Sequence, residues 1–405
     1  MSFAELWEQL LPLGRDEGTG GYRRYSWTQA DAACRAWFAR TASELGLRTE
    51  CDRNGNLWAW WGRPGGSARA IATGSHLDSV PDGGAYDGPL GIVSAFAAIG
   101  RLRASGFTPA RPIGVAAFTE EEGGRFGVAC LGSRLLTGVI DPGVARLLRD
   151  GGGVSLAEAM LAAGREPDLL GQDDELLGGL ECYVELHIEQ GSALDGLGAP
   201  VGVAEGIWPH GRWRFDFTGR ADHAGTTRLA DRRDPMLPFA VTALAARDAA
   251  AGNGALATFG KVVADPGAAN AISSAVHAWL DARAPQASVL ERLVGEIQVA
   301  AADAAAEHGV GFVACRESFT PLVSFDAGLR DRLVGVLSAT GLQPPVLATG
   351  AGHDAGVLAA RIPTAMLFVR NPSGVSHSPL EHADPADCEA GVAALAAVLA
   401  DLAGR

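Results

Sequence analysis

Hydrophobic and polar positions follow one pattern near both ends of the chain. Short apolar runs typical of buried strands alternate there with longer helical patterns. The runs lie at residues 70–72, 112–118, 183–191, 346–348 and 364–369, and the helical patterns at 89–104, at 327–337 and from 385 onward. Strands that alternate with helices predict a doubly wound α/β domain, with a mostly parallel sheet covered on both faces.

A different pattern occupies the middle of the chain. Trp213, Phe215 and Phe217 alternate with charged residues, as in a half-exposed strand. A helix, two strands, a helix and a strand follow at about 235, 256–263, 275–283, 287–306 and 310–315. This order is the ferredoxin-like βαββαβ unit, a four-stranded layer with helices on one face. The strand at 212–218 or the strand at 256–263 could lie at its edge.

The two patterns together predict two domains. Residues 1–208 and 322–405 are expected to form the α/β domain, and residues 209–321 an inserted domain. A chain of 405 residues and 41.7 kDa is also long for a single core.

Composition and charge limit the cellular setting. A net charge of −14 argues against nucleic acid or an acidic membrane as a partner. No signal-peptide pattern is apparent at the N-terminus, and no apolar run approaches the ~20 residues needed to span a bilayer. The six cysteines form no CxxC pair and fit a reduced cytoplasm. We therefore expect a cytoplasmic protein.

Four predicted strand ends carry residues of metal-binding type. They are His76 with Asp87, the glutamates at 120–122, His187 and His377. Each group alone has a plainer explanation, such as a solvated turn or a surface histidine. However, the carboxyl ends of parallel strands meet at one edge of a sheet, and imidazole and carboxylate groups suit divalent metals. Asp78 lies two residues after His76 and could orient its imidazole.

The ordered set resembles the M20-type dinuclear metallohydrolases, and within them the hydantoinase/carbamoylase branch. That branch contains N-carbamoyl-L-amino-acid hydrolases, allantoate amidohydrolases and β-ureidopropionases. The resemblance runs over nearly the whole chain and implies two divalent metal ions, Zn or else Mn, Co or Ni, that are bridged by Asp87. The remaining ligands would be His76, Glu122, His187 and His377, with no ligand assigned to one metal. Glu121, adjacent to the expected ligand Glu122, matches the general base of the family, and Asp78 is the second candidate catalytic residue.

The branch is indicated by His187, because the related peptidases usually carry a carboxylate there. Gln190 follows three residues later, where its amide could meet a ureido NH₂ group. The resemblance also implies that His223, Asn270 and Arg283 hold the substrate, the arginine through its carboxylate. His353 lies in a matching segment and is a further candidate contact.

The expected activity is hydrolysis of the terminal ureido group of an N-carbamoyl-L-amino acid or allantoate, with release of ammonia and CO₂. The alternative is an M20 aminoacylase or peptidase that cleaves an ordinary amide with the same metals. A metal-free binding protein on this fold is a third reading. The resemblance also implies a homodimer formed through the inserted domain, in which His223 reaches towards the partner's metal site.

Overall fold

The computed structural model describes residues 1–62 and 68–404. The chain divides into two compact units, one formed by Met1–Glu205 with Ser324–Arg405 and the other by Gly206–Val323. In the described part of the chain, no helix is long and apolar enough to cross a membrane.

Both units contain strands and helices. The strands are β1 (Arg48–Cys51), β2 (Leu57–Trp61), β3 (Ala70–His76), β4 (Ile113–Phe118), β5 (Leu180–Ile188), β6 (Val201–Ile207), β7 (His210–Thr218), β8 (Asp222–His223), β9 (Leu256–Asp265), β10 (Ala271–Ile272), β11 (Ala275–Arg283), β12 (Gly311–Thr320), β13 (Val323–Ser324), β14 (Val346–Thr349) and β15 (Thr364–Val369). The helices are α1 (Phe3–Leu10), α2 (Gln29–Glu44), α3 (Pro89–Ala104), α4 (Leu131–Thr137), α5 (Pro142–Leu147), α6 (Leu156–Ala162), α7 (Asp174–Gly178), α8 (Ala193–Gly196), α9 (Met236–Asn253), α10 (Ala287–Glu307), α11 (Ala327–Ala339), α12 (Asp354–Leu358) and α13 (Pro385–Ala403).

The sheet of the first unit has four parallel strands at its centre. Its strand order is β1-β2-β4-β3-β5-β15-β6-β13, with β14 also paired to β6. The neighbours β4, β3, β5 and β15 run parallel, whereas β2 and β6 flank them antiparallel. This order confirms the mixed α/β fold with a largely parallel central sheet.

The central strands are buried on both faces, as their continuous apolar runs predicted. Every residue of β3, β4 and β15 is buried. Alternate residues of β4 and β15 join one core with α3 and α13, and the residues between them are buried on the opposite side. The N-terminal half of α3 is buried almost all round, as expected for a helix packed between a sheet and further helices.

The second unit is a four-stranded antiparallel sheet in the order β12-β7-β11-β9. The large apolar side chains of β7 are buried with α10, and the residues between them face outwards. Of the two strands that the sequence allowed at an edge, 256–263 is an edge strand, as part of β9, and 212–218 is not. The strand β7 is hydrogen-bonded on both sides, to β11 and β12, so the edges are β9 and β12. A separate two-stranded ribbon pairs β8 with β10.

Candidate metal centre

The predicted ligands converge at one edge of the central sheet. His76 is the last residue of β3, and the glutamates at 120–122 follow one residue after the end of β4. His187 lies near the end of β5, and His377 lies in the segment after β15. These four strands are parallel neighbours, so their carboxyl ends meet at the same edge, where open α/β sheets bind ligands.

The first group of donors consists of His76, His187 and Asp87. The Nε2 atoms of the two histidines lie 3.5 Å and 3.2 Å from Oδ1 of Asp87. Their Nδ1 atoms face backbone carbonyls, of Asp78 at 3.2 Å and of Ile188 at 2.8 Å. A carbonyl can only accept, so each Nδ1 donates and each Nε2 lone pair points towards Asp87.

The second group consists of Asp87, Glu122 and His377. His377 Nε2 lies 3.4 Å from Asp87 Oδ2 and 3.5 Å from Glu122 Oε2. Asp87 therefore belongs to both groups and directs one oxygen towards each. A carboxylate placed in this way can bridge two ions.

The chemistry of these donors fits divalent metal. Nε2 of His76, Nε2 of His187 and Oε1 of Glu122 are buried and have no hydrogen-bond partner within residues 1–62 and 68–404. Buried polar atoms normally have a partner. Imidazole nitrogens and carboxylate oxygens without any thiolate suit Zn, Mn, Co or Ni.

The electrostatics of the pocket also favour bound cations. Burial raises the pKa of Glu122 to about 7, and the charge of Asp87 adds to the shift. Burial likewise raises the pKa of Glu121 well above its usual value, against the opposing effect of His76. The hydrogen bond to Asp87 raises the pKa of His377 to about 9. A divalent cation beside these carboxylates would favour their ionised forms.

Asp78 has a different role from the one that the sequence suggested. Its carboxylate lies 3.6 Å from His76 Nδ1, beyond hydrogen-bond distance. Of the Asp78 oxygens, only the backbone carbonyl lies within hydrogen-bond distance of the imidazole. The two carboxylate oxygens instead accept the backbone N–H groups of Glu121 at 3.1 Å and Glu122 at 3.0 Å. Asp78 therefore fixes the backbone that carries the candidate base and a candidate ligand.

Glu121 lies beside the first group without belonging to either group of donors. Its Oε2 is 3.7 Å from His76 Nε2, and its Oε1 accepts the Cys130 thiol at 3.3 Å. A carboxylate in this position can exchange a proton with a group bound between the histidines.

The loop that carries Asp87 depends on close backbone approach. Gly88 has φ +82°, and a Cβ there would lie 2.4 Å from the His76 ring. A Cβ on Gly84 would lie 2.3 Å from the carboxylate of Glu381. Glycine is therefore required at both positions.

Sequence reasoning missed the role of Glu381. Its Oε2 accepts the backbone N–H groups of Tyr86 at 2.8 Å and Asp87 at 3.0 Å, so it holds the loop that presents Asp87. Glu381 lies in the same segment as His377, but no local pattern distinguishes it from a solvated glutamate.

Two of the predicted substrate contacts lie at this centre. Gln190 donates from Nε2 to Asp87 Oδ2 at 3.2 Å. The ring of His353 is buried with its centroid 4.5 Å from that of His187. Burial lowers the pKa of His353 well below its usual value, and the neighbouring His187 adds to the effect.

The other three predicted contacts belong to the second unit, where they fall into two separate sets. His223 in β8 pairs with Ala271, and the carbonyl of Asn270 accepts the N–H of Ala224 at 3.1 Å. This ribbon lies at the start of β11. Arg283 is the last residue of β11 and forms an ion pair with Asp281. At about 3.4 Å per residue, the length of β11 separates the two sets by roughly 27 Å.

Comparison with known proteins decides the family. The model of peptidase family M20/M25/M40 matches residues 72–401. The chain belongs to this family. It is 37% identical over 397 residues to an N-carbamoyl-L-amino acid amidohydrolase of Geobacillus stearothermophilus, with 96% of both chains covered. It is 31% identical to an allantoate amidohydrolase of Escherichia coli, with 99% of this chain and 98% of the relative covered.

Solved structures agree with this assignment. A hydantoinase/carbamoylase family amidase from Burkholderia multivorans superposes with a TM-score of 0.86 at 29% identity, covering 100% of this chain and 98% of that one. The resemblance to this branch of M20-type metallohydrolases is thereby confirmed. Hydrolases of this family depend on metal, and the two groups of donors around Asp87 are where this chain would hold it.

Metal content provides a direct test of the centre. We expect about two equivalents of divalent metal per chain by elemental analysis, and chelation should abolish activity until metal is restored. His76→Ala should lower the metal content to about one equivalent or less, because it removes one of three donors from the buried group. His308→Ala removes a histidine at the end of α10 and serves as the control. Full turnover by metal-free protein would contradict the assignment.

Proposed function

We propose that the protein is a metal-dependent amidohydrolase that cleaves the terminal ureido group of an N-carbamoyl-L-amino acid or of allantoate, releasing ammonia and CO₂. The observation that carries this proposal is the shared position of Asp87, with two groups of metal donors and the Gln190 amide all directed at its carboxylate. The relatives of the chain that are named amidohydrolases support a hydrolase that acts on linear amide C–N bonds.

The positions of the residues around Asp87 indicate a role for each in the proposed reaction. His76 and His187 on one side, and Glu122 and His377 on the other, would hold two divalent ions that share Asp87. Ions so held would make a water molecule more acidic and polarise the carbonyl of the ureido group. Glu121, on the backbone fixed by Asp78, would take the proton from the water and deliver it to the departing nitrogen.

The role of Glu121 is tested by Glu121→Gln, which keeps the shape of the side chain but cannot accept the proton. We expect turnover to fall about 10²–10⁴-fold, the usual range for loss of a general base. Metal content should stay near wild type because Glu121 lies outside both groups of donors. Glu389→Gln, on the surface beside Arg101, is the matched control. If Glu121→Gln instead empties the centre of metal, the roles of Glu121 and Glu122 are misassigned.

Substrate selection is assigned to two residues. Gln190 would face the terminal NH₂ of the ureido group, and Arg283 would bind the carboxylate, for which a guanidinium fork is suited. In this structure the fork is engaged by Asp281, with Nε 2.7 Å from Oδ1. A substrate carboxylate would take over part of that interaction.

A panel of N-carbamoyl-L-amino acids, ureidopropionate and allantoate, each assayed for ammonia release, tests the substrate class. N-acetyl-L-amino acids with matching side chains should react far more slowly, which separates this function from that of an aminoacylase. Arg283→Ala should raise KM and lower kcat, reducing kcat/KM roughly 10- to 100-fold through loss of a charge-assisted contact. Arg214→Ala, on the neighbouring strand, should behave as wild type. The anchoring role is wrong if Arg283→Ala processes the carbamoyl substrate normally.

The second unit carries features of a dimer surface. Leu237, Val241 and Leu244 follow helical spacing on α9 and are 48%, 47% and 65% exposed. The edge strand β9 belongs to the same unit and packs against α9. An unpaired edge beside an exposed apolar helix stripe is suited to pairing with a second copy. We propose a homodimer through this unit.

The separation of the two sets of contacts supports the same assembly. A small ureido acid is far shorter than the length of β11 that separates His223 from Arg283. One copy of the unit therefore cannot bring both residues to the same substrate molecule. We propose that His223 and Asn270 act at the partner's centre, whereas Arg283 acts at its own.

A charge placed in the apolar stripe tests the assembly. Leu244→Glu should convert the protein to a monomer in light scattering and lower its activity at least 10-fold, because each centre would lose His223 of the partner subunit. Val299→Glu introduces the same charge at an exposed apolar position of α10 and should leave the dimer intact. Wild-type protein that is monomeric and fully active at assay concentration would contradict the proposal.

A further inference from the structure

A serine next to the candidate ligand His377 contacts the amide of Gln190. Ser376 is half-buried in the segment between β15 and α13. Its hydroxyl donates to Oε1 of Gln190 and lies 3.3 Å from Oδ2 of Asp87. No role in the chemistry above depends on this hydroxyl.

The neighbours of Gln190 determine the orientation of its amide. Oδ2 of an ionised Asp87 can only accept hydrogen bonds, so the atom of Gln190 that lies 3.2 Å away must be the NH₂ group. The reverse orientation would place the amide oxygen against a carboxylate oxygen. Oε1 therefore faces Ser376, whose hydroxyl proton it accepts.

This arrangement leaves two acceptors side by side. The single proton of the Ser376 hydroxyl is directed at its two acceptors, Oε1 of Gln190 and Oδ2 of Asp87, so the oxygen presents only lone pairs to a ligand. The amide oxygen of Gln190 retains a second lone pair. The terminal NH₂ of a ureido group carries two N–H donors, whereas the methyl group of an N-acetyl compound carries none.

We propose that Ser376 is a specificity-determining residue. Its Oγ and the Oε1 of Gln190 would each accept a hydrogen bond from one of the two N–H groups of the ureido NH₂. The proposal rests on the function proposed above and deepens it. An acetyl compound would leave Oγ of Ser376 and the second lone pair of Gln190 Oε1 without a donor, and sites built to hydrogen-bond a substrate group strongly reject analogues that lack it. Ser376 also positions Gln190, because its hydroxyl holds the amide oxygen on the side away from Asp87.

The test compares N-carbamoyl and N-acetyl derivatives of the same L-amino acid on the metal-loaded enzyme. The measured quantity is the ratio of the two kcat/KM values, which does not depend on the fraction of protein that is folded and loaded. Ser376→Ala should lower this ratio about 10-fold or more through slower carbamoyl hydrolysis. Ser376→Thr keeps a hydroxyl and should restore most of the ratio. Ser378→Ala, in the same segment, should leave it unchanged.

The outcomes separate this proposal from the one on which it rests. If Ser376→Ala slows both substrates equally, Ser376 does not select the NH₂ group, although carbamoyl hydrolysis by the wild type would still support the amidohydrolase function. If Ser376→Thr has as low a ratio as Ser376→Ala, the hydroxyl is not the selecting group. If the wild type hydrolyses the acetyl compound and not the carbamoyl compound, both proposals are wrong.

Discussion

The centre depends on the contacts of one buried carboxylate, that of Asp87. Two histidines direct Nε2 at one of its oxygens, and His377 and Gln190 direct nitrogen atoms at the other. An isolated buried carboxylate is costly, and the Gln190 N–H group together with cations held between Asp87 and the histidines would remove that cost. These nitrogen atoms lie at or after the ends of three strands, so they meet Asp87 because β3, β5 and β15 are neighbours in the sheet. The same convergence creates the two groups of metal donors.

A layer of hydrogen bonds behind these donors fixes the loops that carry them. Asp78 holds the backbone of Glu121 and Glu122, and Glu381 holds the backbone of Asp87. Glu120 and His377 both adopt left-handed backbone conformations, with φ of +57° and +54°. Such conformations cost of order 1–3 kcal/mol at a non-glycine residue and persist where the surroundings determine them. The carboxylate of Glu120 accepts hydrogen bonds from the backbone N–H groups of residues 125 and 126. These bonds hold Glu120 in its left-handed conformation.

The parts of this architecture that local patterns encode could be predicted from the sequence. Apolar runs marked the central strands, and polar residues at their ends marked the ligands, because both signals lie within a few consecutive residues. The role of Glu381 could not be predicted in this way, since its partners Tyr86 and Asp87 lie almost 300 residues earlier. The carboxylate of Asp78 was predicted to contact His76 from its spacing of two residues, but the backbone turns it towards the loop after β4. The sequence could not decide whether 212–218 or 256–263 lies at an edge, because alternation shows that one face is exposed, not how many neighbours a strand has. The inserted-domain boundaries at 208/209 and 321/322, its role in dimerisation and the cytoplasmic location stay predictions.

The second unit shows how residues that share one predicted role can be separated by the fold. His223, Asn270 and Arg283 all resemble substrate contacts, and the sequence gives no reason to divide them. The antiparallel sheet does divide them, because the ribbon of β8 and β10 lies at one end of β11 and Arg283 at the other. If all three act on one small substrate, the second set has to come from another copy of the chain. Under that arrangement each centre is completed by association, so the exposed stripe on α9 contributes to catalysis without contacting any reacting atom. Activity would then depend on protein concentration as well as on metal. Dissociation of the dimer would remove residues that the substrate requires, and loss of metal would remove charges that it requires.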